Sequence, residues 1–419
     1  MLYAKKQKTI KELTMILQDN FLKIKSKMHN VVKGFISLSK PEKRFLLDML
    51  LGVFTTNSFN LMSISRNLPY EISIKHIHKR LQRHLSNNIN MMNKINDYLL
   101  KISKKFIKED SSLYLDGGDF TYKEASTYDK MTIVRDGSKG VYKHGFISNL
   151  LVCDTGVELL PLNYEVYSRV DENYKSDNSN TLDIIQKYIN INGSKGIWVL
   201  DRGYDSKILM NYLYANNCRF IIRQSHNRKI THAGREILIK DLCSIYNCKH
   251  SSKQGKYFYK HCYLENIPIT VVYHQKTSDI TLLCSGHLSK KEAEQSIYRY
   301  FKRWSIEDSY RFMKQTFGLE TAQISNFNGI KNIAAIALFA WYILKCIEHD
   351  EELEYIAMKE AKYNKKKKVK FKYYRLAEGI KKILNYIVVN YSIKKKKNIK
   401  KRLSIEDFLP KDKDDLIWV

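Results

Sequence analysis

Three acidic residues in this chain stand where phosphodiester chemistry could use them. Asp116 lies within or at the end of the apolar stretch "LYLDGGD", and Asp201 closes "GIWVLDRG". Each follows a strand-like run and is followed by glycine within two residues, so its carboxylate should emerge at the carboxyl edge of a sheet with room for a ligand. The third is Glu307, in "YRYFKRWSIEDSYRFMK" at 298–314. Read as one helix, that segment brings Tyr300, Arg303, Glu307 and Lys314 within roughly 60° of one another. Beside them runs an apolar line, Ile297, Phe301, Trp304 and Phe312, able to dock the helix on a core. Three carboxylates can hold two divalent cations, Mg²⁺ or Mn²⁺, about 3.5–4 Å apart, one activating the attacking oxygen and one stabilising the leaving oxygen. Arg303 and Lys314 could then clamp the phosphate under attack, and Tyr300 could donate a hydrogen bond to it.

Each piece also has a plainer explanation. A solvated salt-bridge face accounts for the charges on the helix. "DGGD" could be a turn and "DRG" a strand-end ion pair. Asp119 competes with Asp116, and Asp308 with Glu307, although Asp308 lies about 100° further round the helix, towards the apolar line. Three acids on suitable elements beside a cationic line are harder to explain away together than singly.

The composition supplies the cations. Lys plus Arg is 72 against 43 Asp plus Glu, a net charge of +29 on 419 residues. The natural partners of such a surplus are polyanions: DNA, RNA or an anionic membrane surface. The longest apolar run, "IAAIALFAWYIL" at 333–344, falls short of the ~20 residues that cross a bilayer. The N-terminus has charge but no apolar signal core. Seven cysteines without framework spacing suit a reducing compartment. Cys243, Cys248, His250, His261 and Cys262 could supply zinc ligands, but their spacing fits no standard finger or ribbon. "CDTG" at 153–156 reads as a turn between two strands, since an aspartic protease needs two facing copies of that motif and the chain has one.

Residues 1–108 read as a helical, DNA-binding domain. Within it a short helix, a turn at Pro69 and a longer helix from Ser73 suggest a helix-turn-helix. Ile74, Ile77, Leu81 and Leu85 would face inward, with Lys75, His76, Lys79, Arg80 and Arg83 outward, as in a major-groove reading helix. An ordinary amphipathic helix with a basic face fits the same pattern. From 109 to 228 strand pairs are followed by alternating helices and strands, which indicates an α/β sheet with a partly antiparallel edge. Residues 229–288 lack helical periodicity and read as a β-rich insertion. Residues 289–350 return to the core with the helix of Glu307 and a second apolar helix, and 351–419 form a basic, helical C-terminal region.

"YFKRWSIEDSYRFMK" at 300–314 carries Tyr, Arg, Glu and Lys at intervals that resemble the signature of the DDE transposases of bacterial insertion sequences, specifically the insertion-sequence-four group. "YLDGGDF", "LDRGYD" and "FIIRQSHNR" extend the resemblance over roughly 110–345. It implies an RNase H-like core, with Asp116, Asp201 and Glu307 as the catalytic, metal-binding acids. It also implies Arg223 and Arg228 as contacts to end DNA. The substrate would be double-stranded DNA, both the element's own inverted-repeat ends and a target, handled by a homodimer in a synaptic complex. The setting would be the bacterial cytoplasm, at the nucleoid. In one respect the chain departs from the pattern. Some members carry a tryptophan in the insertion that stacks on a flipped base, whereas here the tryptophans are Trp198, Trp304, Trp341 and Trp418. Tyr257, Phe258 or Tyr259 could stack instead. The competing functions are a nuclease on the same fold that cuts without joining, and a non-catalytic DNA-binding protein.

Overall fold

The computed structural model describes residues 2–122, 128–136, 140–275, 279–362 and 372–397. The basic runs expected in the tail fall largely outside these residues. In chain order the elements begin with α1 (Leu2–Lys33), α2 (Lys40–Thr56), α3 (Leu61–Asn67), α4 (Ile74–Asn87) and α5 (Met91–Ser103). Then come β1 (Ser112–Thr121), β2 (Thr132–Asp136), β3 (Val141–Asp154), β4 (Leu159–Tyr167), α6 (Asp177–Asn192), β5 (Ile197–Leu200), α7 (Lys207–Ala215) and β6 (Arg219–Arg223). Next are β7 (Lys229–His232), β8 (Arg235–Leu238), α8 (Ile239–Ile245), β9 (His250–Ser252), β10 (Gly255–Leu264), β11 (Ile267–Gln275) and β12 (Ile280–Ser285). The chain continues with α9 (Lys290–Lys302), α10 (Ser305–Phe317), α11 (Phe327–Glu348), α12 (Glu351–Glu360) and α13 (Tyr373–Lys397).

Two compact units contain these elements. One comprises Met1–Ile95, Thr121–Met131 and Arg311–Val419, the other Asn96–Phe120 and Thr132–Tyr310. The first is helical and is built around α11, whose apolar run is buried on all sides. Its 22 residues exceed the apolar run read from the sequence, and by length and composition the helix could cross a bilayer. Here it is a core helix: 83% of its apolar window is buried, with Phe35 set edge-on against Phe339.

The second unit is α/β. Among its described residues twelve strands form one sheet, in the order β2-β3-β1-β5-β6-β12-β11-β10-β7-β8, with β4 on β3 and β9 on β10. β1, β5 and β6 are parallel, and their paired stretches Leu113–Leu115, Ile197–Leu200 and Phe220–Ile222 are apolar, as the covered part of a parallel sheet must be. Behind them Leu113, Leu115, Trp198, Leu200, Phe220 and Ile222 share a core with residues of α6 and α7, such as Tyr188 and Leu213. The β-rich stretch at 229–288 extends this same sheet, because β12 pairs antiparallel with β6. That stretch also contains α8, too short for its period to register in the sequence; Ile239 and Leu242, one turn apart, anchor it.

The segment 298–314 is not the single helix that its periodicity suggests. It breaks at Arg303 and Trp304, where the Ile306 and Glu307 amides bond to carbonyls three residues back rather than four. The tightened turn throws Trp304 outward, 62% exposed, off the apolar line that a single helix would give it.

β3 approaches β1 so closely that a Cβ at Gly145 would lie 1.9 Å from the Phe120 carbonyl oxygen. Backbone cannot yield there as a flexible side chain would. Gly145→Ala should therefore force these central strands apart and cost about 2–3 kcal/mol, read as a lowered urea midpoint. An unchanged midpoint would refute the close packing.

Candidate active site

The register of the parallel strands aligns the first acids. Leu115 pairs with Leu200, and Leu200 with Ile222. The next residues along the three strands are Asp116, Asp201 and Arg223, which therefore stand in a row on one face, opposite the leucine core. Arg223 Nη1 lies 3.8 Å from Asp201 Oδ1. Asp119, three residues further along β1, falls on the other face by the two-residue period of a strand. The sheet thereby selects Asp116 over Asp119 for this row.

The third acid and the central cation come from the α9–α10 junction. Arg303 is 5% exposed, and its guanidinium faces all three carboxylates. Nη1 donates to Asp116 Oδ2 at 3.1 Å, while Nη2 lies 3.4 Å from Glu307 Oε1 and 4.0 Å from Asp201 Oδ2. Glu307 sits four residues after Arg303, in the first turn of α10, where a negative charge is favoured by the helix amides.

Neighbouring groups fix the two aspartates. Tyr300, on α9, donates to Asp201 Oδ1 at 2.8 Å. The Asp116 carboxylate accepts from the Gly117 amide at 3.1 Å, and its backbone carbonyl accepts from the Tyr310 hydroxyl at 2.8 Å. Gly118 makes room for that tyrosine, since a Cβ there would come 2.8 Å from its ring. Tyr204, just past Asp201, donates to Asn149 Oδ1 at 3.3 Å, and Lys302 pins the end of α9 to Asp154 at 2.6 Å. Tyr204, Tyr310, Asn149 and Asp154 carry no sequence signal for this site.

The environment drives the two aspartates apart in acidity. Burial pushes Asp116 up to about 6; Asp201 and Glu307 add repulsion, and Arg303 only partly offsets them. Asp201 is also raised by burial. The Arg202 amide, Arg303 and the Tyr300 hydroxyl outweigh that and hold it below the usual carboxylate value. Burial and then Asp201 raise Tyr300 to about 12, so it remains a donor.

The remaining predicted residues lie elsewhere or point differently. Arg228 is tied to the Asp205 carboxylate in a mostly buried ion pair. Lys314, on α10, lies 3.3 Å from Glu320. On α4, Ile77, Leu81 and Leu85 are buried as expected, and Lys75, Lys79 and Arg83 are exposed. Two residues there differ from expectation. Ile74 is 44% exposed, being at the first turn beyond the reach of the core. Arg80 turns inward to Asp48 at 2.7 Å and lies over the Tyr70 ring, because Asp48 is buried on α2 and needs a cation. In the β-rich stretch Tyr257 and Phe258 are buried and cannot stack on a base, which leaves Tyr259 partly accessible.

Asp116, Asp201 and Glu307 offer the hard oxygen donors that Mg²⁺ and Mn²⁺ take, so the donor set fits such ions. Among the described residues no three His, Cys, Asp or Glu side chains stand at metal-holding spacing, the Cys/His group included. The three acids converge on Arg303 instead.

A family model described as the transposase DDE domain matches residues 111–343. Among solved structures the chain is similar to a cryo-EM structure of the piggyBac transposase synaptic complex with hairpin DNA. The TM-score is 0.46 at 11% identity, covering 95% of this chain and 85% of that one. No curated protein sequence matches.

Raised acidity at Asp116 has a consequence for stability. A carboxyl whose folded value is about 6 against 3.8 unfolded favours the folded state only when protonated. The contribution of Asp116 to stability therefore falls as pH rises from about 4 through 6, by about 3 kcal/mol. Asp116→Asn should melt higher than the parent at pH 7.5, with the gain vanishing near pH 4. Equal melting at both values would remove the strain inferred at this carboxylate.

Proposed function

Because the chain belongs to the transposase DDE domain family and is a DNA transposase, we propose that Asp116, Asp201 and Glu307 are its catalytic acids. The further reading is an insertion-sequence enzyme of the insertion-sequence-four group, with an RNase H-like core. It binds double-stranded DNA at the element's ends, cuts there, and joins the freed 3′-hydroxyls to target DNA. The observation that carries this reading is the meeting of all three acids on one buried guanidinium, on elements whose spacing is that of the group's Tyr, Arg, Glu and Lys signature.

In this reading Asp116, Asp201 and Glu307 would hold two divalent cations, which would supply activation of the attacking oxygen and charge stabilisation at the leaving oxygen. The protein's own share is positioning. Tyr300 orients Asp201, and the Gly117 amide and Tyr310 orient Asp116. Arg223 and Arg303 bring positive charge to the row for a phosphate, and Lys314 extends the cationic signature along α10. Exposed Lys75, Lys79 and Arg83 on α4 read base edges, while phosphate contacts position the duplex without reading it. Two ends must meet for joining, which calls for a homodimer, at the nucleoid of a bacterial cytoplasm.

The deciding experiment incubates the protein with Mg²⁺ and duplexes bearing the terminal inverted repeats that flank its gene. Joined product supports the transposase in full; cleavage alone would indicate a nuclease, and a retarded band alone a DNA-binding protein. Asp116→Asn, Asp201→Asn and Glu307→Gln should each lower cleavage by more than about a thousandfold while the retarded band persists. Lys314→Ala should slow cleavage about a hundredfold but alter the salt slope of binding by only about one counterion. Equal, small losses in rate and binding would return Lys314 to an ordinary surface charge.

A separate outcome is expected for α4. Replacing Lys75, Lys79 and Arg83 together by Ala should leave salt-sensitive DNA binding but erase preference for end over scrambled duplex, measured by competition. Retained preference would exclude α4 as the reading helix.

A further inference from the structure

We propose that Arg303 is an internal cation that keeps divalent metal off the three acids until substrate phosphate draws it away, so that metal loading depends on bound DNA. The inference rests on the acid assignment above and adds a regulation to it. Its basis is competition for the same oxygens. Arg303 Nη1 engages Asp116 Oδ2 at 3.1 Å, and Nη2 stands 3.4 Å from Glu307 Oε1 and 4.0 Å from Asp201 Oδ2. Mg²⁺ takes its oxygens at about 2.0–2.1 Å in near-octahedral geometry, so its ligands must turn towards a common point. Here they face a guanidinium, and no three ligand side chains among the described residues reach metal-holding spacing.

Arg303 is also equipped to leave. Its Nε is buried without a hydrogen-bond partner, so the guanidinium is incompletely satisfied among the acids. A phosphate offers the whole fork acceptors in bidentate geometry. The residue sits at the α9–α10 junction, where bonds to carbonyls three residues back replace the regular helix ladder. A small change at that junction re-aims the side chain without unwinding either helix. Arg223, 3.8 Å from Asp201 on β6, remains as a counter-charge when Arg303 moves.

A competing account makes Arg303 a permanent structural counter-ion that metal simply joins. The two accounts differ in what a metal-binding isotherm does when the charge is removed. Mn²⁺ binding to the full-length protein would be followed by electron paramagnetic resonance of the free ion. It would be measured with and without a short duplex of mixed sequence, with the duplex alone as reference. The parent should bind Mn²⁺ weakly alone and at least about tenfold more tightly with duplex. Arg303→Gln should bind Mn²⁺ without duplex at least about tenfold more tightly than the parent, and duplex should add little. Arg303→Lys, which keeps the charge, should remain weak without duplex.

An Arg303→Gln protein that binds Mn²⁺ no better than the parent overturns the proposal. So does a parent whose Mn²⁺ affinity ignores the duplex, a result that decides the matter even if Arg303→Gln fails to fold. Asp116→Asn separates this failure from that of the premise. Mn²⁺ binding unchanged in Asp116→Asn removes the acid site itself. Binding lost in Asp116→Asn but not strengthened in Arg303→Gln removes the regulation alone.

Discussion

Three carboxylates brought together, Asp116 mostly buried and the other two half-buried, repel one another and lose hydration, and without a cation the arrangement would not persist. Arg303 is that cation, and much of the surrounding geometry follows from its need to reach all three acids. It must arrive from the face of the sheet opposite the leucine core, which α9 provides. It must stop above β1 and β5, and Lys302 fixes that point by its bond to Asp154. Glu307 must turn back towards it, which the break before α10 allows. Even so the compensation is incomplete, and Asp116 keeps an affinity for protons well above that of an ordinary aspartate. A site meant only for stability would not retain such a group, since one apolar residue in its place would relieve the repulsion.

The sheet acts as the ruler for this arrangement. Parallel pairing in register turns three separate strand positions into one row, so that Asp116, Asp201 and Arg223 need no loop to bring them together. Loops would hold them less precisely, because a loop lacks the ladder that fixes a strand against its neighbours. On β1 the glycine at 118 admits the Tyr310 ring beside the row. Beyond β6 the direction of pairing reverses, and the β-rich stretch prolongs the sheet through β12, β11 and β10. Membership of the transposase DDE family extends over residues 111–343, which takes in the row, the β-rich stretch and the junction that carries Arg303 and Glu307.

Much of this was legible in the chain. Asp116 and Asp201 follow apolar, strand-like runs, and Glu307 lies at a fixed interval from Tyr300, Arg303 and Lys314. Local pattern determines such features, since strand burial and helical spacing depend on neighbours a few residues away. The apolar positions Ile77, Leu81 and Leu85 of α4 were readable for the same reason, as was the turn in "CDTG", where the Gly156 amide closes on Asp154 at 2.8 Å.

What the chain could not disclose depends on partners distant in sequence. The face that selects Asp116 over Asp119 is fixed by a pairing with β5, more than eighty residues away. Arg80 looked like an outward cation until Asp48, buried on α2, required it. Tyr204, Tyr310 and Asn149 carry no signature because their work is to fill and bond within a particular packing. Arg303 appeared as one cation in a line along a helix, yet in the fold it is buried and faces three acids from three different elements. Sequence alone determined which residues could do the chemistry. Tertiary structure decided which charges meet, because charges interact through space, and the distances between these groups are set by strand register and helix breaks rather than by their separation along the chain.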